Sequence, residues 1–432
     1  MDHFVRLNDM FRAYLPLFVA VLCTAGESVV GVREAKDLAK QGSTAIPRLA
    51  ELIYDPSPTV RLHAVRSIVN IGTQHSIDPL IRSTADGDPQ IQILAINGLV
   101  NFYLPGFVKT GMGATLKRSG GKVISKFTGP EEQIIPSFII PRPEVIAALA
   151  KQVTEAKEPS VKAAAARAAG ILRGRDAIDA LTAALRTKDD AVLFESVTAI
   201  EKIRDPRPAT SLVLLFRDPK ERVQLAALEA AGLLKNREVI PDLEKTLTLP
   251  MSSKARKAAI GALGQLVSYN SRPIFEKSLE DKDDGVRAAA AEALGRLKNP
   301  ADSKRLETLF SDEGRMEPRL AQAFALVSLG NQEYKEFSPL KYLTDSLNSK
   351  AWGGVAEAYV TELTREPAIL NAIYSTMNVG NTKDEKIRLA RALSLSGDKS
   401  SIDKVEILTR DANPEVAGES LRALRVLKAR LP

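Results

Sequence analysis

Residues with catalytic or ligating potential are few in this chain, and none falls in a pattern that chemistry requires. There are three histidines, His3, His63 and His75. His63 lies inside a helical pattern with no second histidine on a neighbouring turn, and His75 lies in a loop. Both read as polar surface residues and not as metal ligands. The single cysteine, Cys23, cannot form a disulfide or a CxxC site within one chain. No Gly-x-Ser-x-Gly elbow is present, so nucleophilic catalysis has no candidate. Acidic residues are numerous, but they fall on solvated helix faces and at helix starts, with no pair singled out for acid–base work. The residues therefore assign no catalytic, cofactor-binding or metal-ligating position. A non-catalytic protein without a cofactor is expected.

What does stand out is a run of cations. Between Val108 and Phe127 the sequence carries Lys109, Lys117, Arg118, Lys122 and Lys126 and no acid. An aromatic cluster, Phe102, Tyr103 and Phe107, precedes it, and a proline-punctuated apolar run, IIPSFIIPRP, closes the segment. Those prolines require the closing run to be extended rather than helical. Cations interleaved with apolar residues suit an anionic membrane surface or a polyanionic partner. Gly111, Gly113, Gly120 and Gly121 disfavour an isolated helix and allow a loop that orders on contact. They do not form a phosphate loop, because no Gly-Lys-Ser/Thr follows at the required spacing. The plainer alternative is a loop whose apolar ends cap a gap in the fold.

The elements around this segment are helical and periodic. At 432 residues the chain exceeds the size at which single cores stop growing, and with only 5% aromatics its core must be aliphatic. The segment Asp281–Leu297, DKDDGVRAAAAEALGRL, has near copies at Asp55–Ile71 and Asp218–Leu234. Taking the apolar residue that opens each such helix as a marker gives Val60, Ile91, Val161, Val192, Val223, Ala255 and Val286. Weaker matches continue at Pro318, Val355, Ile387 and Val416. Successive markers lie 29 to 32 residues apart, except for intervals of 70 and 37. A fixed period of this length signals a solenoid.

Each unit holds two helical patterns joined by a short turn, often Asp-Pro, as at Asp55-Pro56, Asp88-Pro89 and Asp218-Pro219. The aspartate is expected to cap the second helix and the proline to start it. The second helix carries one broad apolar stripe, with Val286, Ala289, Ala290, Ala293, Leu294 and Leu297 on one face. Glycines at Gly72, Gly170, Gly232, Gly264 and Gly295 are expected to close these helices.

The recurring Asp-Pro-x-x-x-Val-Arg-x-x-Ala-x-x-Ala-Leu-Gly pattern resembles the HEAT repeat, particularly the short, bacterial, phycobilisome-lyase-like form. The resemblance covers roughly residues 44 to 100 and 144 to 430. It implies an all-α fold, an α-solenoid or right-handed superhelix of about eleven helical hairpins, with one non-repeat insert. It also implies that the second helices line the concave, partner-binding face. Six of the residues just after the markers are basic: Arg61, Lys162, Arg256, Arg287, Arg319 and Arg388. With Phe107 and the five insert cations they form the candidate partner-binding set. The alternative is that these bases pair with turn aspartates along the stack. The same faces also carry Glu195, Glu201, Glu229 and Glu292, which breaks the continuous basic stripe that nucleic acid needs.

Some proteins with HEAT repeats are enzymes. The iron-dependent hydroxylases among them use paired His-Glu dipeptides, and this sequence contains none. Phycobilin lyases are similar in architecture, and that likeness alone implies no bilin.

Residues 1–25 read as a signal peptide, with an apolar run of 13 from Ala13 to Ala25 after Arg12. Cys23 and Ala25 suit the −3 and −1 positions of a cleavage site. Asp2 and Asp9 offset Arg6 and Arg12, and the pattern improves if translation starts at Met10. An uncleaved anchor or a buried first helix is the alternative. The remaining organisation is repeats over 26–100, the basic insert over 101–143, regular repeats over 144–314 and divergent repeats over 315–432. The expectation is a monomeric extracytoplasmic scaffold for a protein or envelope partner, with no membrane span in the mature chain and no nucleic acid. A lyase-like enzyme or cofactor binder and a polyanion binder are the alternatives.

Overall fold

In a computed structural model, residues 29–107, 134–136, 138–377 and 381–431 are described. Among them the secondary structure is helical, with no strand. The signal-like segment, Cys23 and the five insert cations lie outside the described residues. The chain divides into two compact units, Met1–Leu214 and Leu215–Pro432.

The first unit contains α1 (29–39), α2 (Ile46–Leu52), α3 (Pro58–Ile71), α4 (Ile77–Ser83), α5 (Pro89–Tyr103), α6 (Pro143–Glu155), α7 (Pro159–Ile171), α8 (Ile178–Ala184), α9 (Asp190–Ile203) and α10 (Ala209–Leu212). The second contains α11 (Glu221–Leu233), α12 (Ile240–Leu247), α13 (Ser253–Gln265), α14 (Arg272–Ser278), α15 (Asp284–Leu297), α16 (Ser303–Asp312) and α17 (Met316–Ser328). It continues through α18 (Pro339–Ser346), α19 (Gly353–Leu363), α20 (Pro367–Thr376), α21 (Lys383–Ser396), α22 (Ser401–Leu408) and α23 (Pro414–Arg430).

Within each unit neighbouring helices form hairpins, as α2 with α3, α8 with α9 and α14 with α15, and every expected marker falls on an odd-numbered helix, the second-helix position of the repeat. Second helices pack on second helices. In the first unit α3, α5, α7 and α9 stack in turn; in the second, the odd-numbered helices from α11 to α23 do so. The α5–α7 packing shows that the stack continues across the insert, which leaves from a loop. The marker positions are sealed, with Val60, Ile91, Val161, Ala255, Val286 and Val416 all at 0% exposure. A hairpin cannot cover this stripe alone, so each second helix is buried by its neighbours in the array.

The glycines act differently from expectation. Only Gly72 is a left-handed cap, at φ 59°. Gly170, Gly232, Gly264 and Gly295 lie inside their helices and touch the next second helix. A Cβ on Gly295 would stand 2.6 Å from Ala325 Cα, and one on Gly170 would stand 2.6 Å from Ala199 Cα. The small residue sets the interhelix approach and does not end the helix. The left-handed position falls instead to Arg173, Lys235, Val267 and Lys298 after these helices, and to Arg204 after α9. A cation there faces the negative end of the helix dipole, which suits four of the five.

The turn aspartates also divide. Asp88 caps α5, accepting from the Gln90 N–H at 2.7 Å. Asp55 and Asp218 stand two residues before their N-caps and accept from the Ser57 and Lys220 N–H groups, both at 2.8 Å. In Asp55-Pro56-Ser57-Pro58 the second proline takes the first helical position, so the cap moves to Ser57. The side chain of Asp55 then closes an Asx turn.

Register shifts in the divergent repeats. Val355 is half-buried while Ala356 is fully buried. In α21 the position equivalent to a marker is Glu385, 5% exposed and held in a capping box with Thr382. The expected marker, Ile387, lies two residues beyond it. The base that follows the marker in this repeat is therefore Lys386 and not Arg388.

Candidate interaction surface

The bases beside the markers sit in the first turn of each second helix, and most are bound to their own chain. The Arg61 guanidinium grips Asp86 of the next hairpin through two bonds, of 2.8 and 3.0 Å. Arg256 reaches Asp281 at 2.7 Å. Arg287 holds Glu313 at 3.0 and 3.2 Å, and also donates to the Asp281 carbonyl at 3.0 Å. Lys386 reaches Asp411 at 2.9 Å. In all four cases the acid stands two residues before the N-cap of the following second helix. The same carboxylate accepts from the N-cap N–H, as at Asp281 to Asp283, 2.9 Å. One carboxylate thus ties the turn to the base of the preceding repeat.

Asp411 titrates below the usual carboxylate range because Lys386 donates to it and the Asn413 N–H adds a second bond. Asp86 has the opposite effect on Arg61, raising the guanidinium further.

The other three expected bases differ. Lys162 donates to the Thr154 carbonyl at 2.9 Å, and Arg388 pairs backward with Glu357 at 2.9 Å. Arg319 has no ion pair among the described residues. Its guanidinium carbon lies 5.1 Å from the Phe310 ring centre and 4.9 Å from that of Tyr342.

A second cluster, which sequence reasoning missed, locks the inner helices of the second unit. Arg296 of α15 holds Glu362 of α19 at 2.8 and 2.9 Å, passing over the intervening α17. It also bonds Glu292 at 3.0 Å and lies 5.3 Å over the Phe324 ring. The Tyr359 hydroxyl donates to Glu292 at 2.5 Å, and its ring stacks on Phe324 at 4.8 Å. Burial, then the Glu292 carboxylate, push the Tyr359 hydroxyl well above its ordinary pKa. The only sequence hint was Glu292, read as an outward acid. Its partners lie up to 67 residues away, beyond any local pattern. Lys257 and Glu317 make a similar bridge at 2.5 Å, from α13 to α17.

The segment returning from the insert is pinned at both ends. The Ile135 N–H donates to the Ile171 carbonyl at 3.0 Å, and Ile135 is 1% exposed. The Arg142 N–H donates to the Tyr103 hydroxyl at 3.0 Å, while its guanidinium reaches Asp78 at 2.9 Å. Between the pins Phe138 is 77% and Ile140 86% exposed. Phe107, at the other foot of the insert, is half-buried.

The described residues contain no cluster of three or more His, Cys, Asp or Glu able to hold a metal ion. His63 is half-buried, and its pKa is lowered by burial, then by Lys36 and Arg66. Open clefts lie along the described helices. One of about 630 Å³ lies against α8 and α10 and is lined by Asp179, Arg186 and Ser211. Another, of about 450 Å³, lies beside Lys257, Asp284 and Glu317. No helix among the described residues is long and apolar enough to cross a membrane.

Comparison with known proteins places these observations. A curated deoxyhypusine hydroxylase from Eremothecium gossypii is 30% identical over 115 residues, 26% of this chain. The match spans only 36% of that relative's length. Among solved structures, an engineered protein aligns at 17% identity and TM-score 0.37, covering 89% of this chain and 98% of its own. The complex of CpcE and CpcF of phycocyanin lyase from Nostoc sp. PCC7120 aligns at 18% identity and TM-score 0.34, covering 59% of this chain and 94% of its own. The family model for HEAT repeats matches residues 16–105, 146–231 and 240–327. With more than half of its residues matched and helical hairpins in both units, the chain belongs to the HEAT-repeat family.

Proposed function

We propose that this protein is a non-catalytic scaffold that holds a protein or cell-envelope partner, with the basic insert after α5 as its principal contact. The observation that carries the reading is the exposure of Phe138 and Ile140 on a segment pinned at Ile135 and Arg142. Two large apolar side chains held in solvent at the foot of a five-cation segment combine the elements of an interfacial contact, an apolar anchor and a cationic field. Five of the six repeat bases are already bound to their own chain, which favours the insert over them as the contact. The leader-like composition of residues 1–25 supports an extracytoplasmic location, and with it a contact at the envelope.

The test is to delete residues 106–127 and, separately, to replace Phe138 and Ile140 by serine. Both proteins should keep the wild-type helical melting transition and lose association with envelope fractions. Undiminished association in both refutes the role of the insert. A lyase-like or hydroxylase-like enzyme is the competing reading, motivated by the partial match to deoxyhypusine hydroxylase. It requires chromophore or metal to co-purify with protein from the native host, and a colourless, metal-free preparation counts against it.

A further inference from the structure

We infer that Arg319 is a docking point for a carboxylate carried by an acidic peptide segment of a protein partner. The inference starts from the repeat. Arg61, Arg256, Arg287 and Lys386 each pair with an acid two residues before the N-cap of the next second helix. Arg319 occupies the same first-turn position in α17. The next second helix, α19, has Trp352 as its N-cap, so the equivalent position is Lys350. A cation stands where the four base-pairing repeats place the carboxylate, and neither Arg319 nor Lys350 has an ion pair among the described residues.

The guanidinium is nevertheless held in place. It lies over the Phe310 and Tyr342 rings, and its Nε is buried without a hydrogen-bond partner. Planar packing on aromatic faces fixes the fork of donors that recognises a carboxylate in two-point fashion. The surroundings favour a peptide over a polyphosphate. The Tyr342 hydroxyl donates to Met316 Sδ at 3.1 Å, and Met316 and Tyr334 are each 36% exposed. Phe337, in the same turn as Tyr334, is 87% exposed and held at φ 62°. A bulky side chain in the left-handed region is strained, and such strain concentrates where a surface has work to do. Arginine, methionine and aromatic residues together have the composition of a protein interface core. This site shares no residue with the insert, so its failure would leave the proposed role of the insert standing, and the reverse holds too.

The test uses the full chain and a fluorescent peptide carrying several glutamates and one phenylalanine. Its glutamine counterpart and a single-stranded oligonucleotide serve as comparison probes. Saturable binding to the glutamate peptide is expected, weakened about tenfold or more by the glutamine exchange. Arg319→Gln should weaken it by a similar factor with an unchanged melting transition. Lys350→Glu restores the missing acid and should both displace the peptide and raise the melting temperature. The inference is overturned if wild type shows no saturable binding, if both variants bind as wild type does, or if the oligonucleotide is preferred.

Discussion

Glu313→Gln isolates the contribution of one repeat-to-repeat carboxylate. In the wild type this side chain takes two bonds from Arg287, at 3.0 and 3.2 Å, and accepts from the Arg315 N–H at 3.0 Å. The two side chains are 17% and 11% exposed, so the amide would leave a largely desolvated guanidinium without its main counter-charge. Breaking a fully buried pair from one side costs about 3–5 kcal/mol. Here Asp284 still bonds the guanidinium at 2.9 Å and the Asp281 carbonyl still accepts at 3.0 Å. Residual solvent access and these remaining bonds reduce the expected cost to about 2 kcal/mol. That corresponds to a fall of about 4–8 °C in the melting of the unit Leu215–Pro432. The control is Glu406→Gln, whose partner Arg410 is 81% exposed at 3.6 Å and which should cost no more than about 0.5 kcal/mol. Urea unfolding followed by circular dichroism measures both. Native-state hydrogen exchange should locate the Glu313→Gln loss in α16 and α17. If the two variants unfold alike, the shared carboxylate does not couple the repeats.

Close approach at the small residues makes Gly295→Ala destabilising by about 1–3 kcal/mol, since its Cβ would fall 2.6 Å from Ala325 Cα. Gly261→Ala, with nothing within 4 Å of the new Cβ, should instead stabilise by about 0.5–1 kcal/mol; equal effects in thermal melts would contradict the packing argument. Val267, at φ 51°, should be improved by Val267→Gly through relief of left-handed strain of about 1 kcal/mol, and a lower melting temperature would show that its side-chain contacts outweigh the strain. Tyr359 retains its proton in the folded state above the pH at which the unfolded chain releases it. Its contribution is therefore intact below about pH 10 and declines as pH rises beyond that, by up to about 1.4 kcal/mol per unit. Tyr359→Phe should flatten this decline between pH 9.5 and 11, and parallel melting curves for the two proteins would refute it.

The regular repeats were legible in the sequence because their signals are local. Turn residues and the apolar stripe each span less than one hairpin, marker spacing spans one repeat, and all eleven markers fall on odd-numbered helices. The absence of helix at residues 134–136 and 138–142 followed from the prolines for the same reason, although the run turns at Pro136–Ile139 rather than staying extended. Tertiary packing decided the rest. Whether Gly295 ends a helix or admits a neighbour depends on where Ala325 lies, and no local pattern encodes that distance. Pairing of Arg61 with Asp86 or of Arg287 with Glu313 requires adjacent repeats to stack in register. Stacking turned bases that sequence reasoning had offered to a partner into links within the chain. The Arg296–Glu362 contact reaches across an intervening helix, so only the packed array could reveal it. Arg319 shows both sides: its type and place were readable from the repeat, but its lack of an acid became visible only once its neighbours' acids had been found.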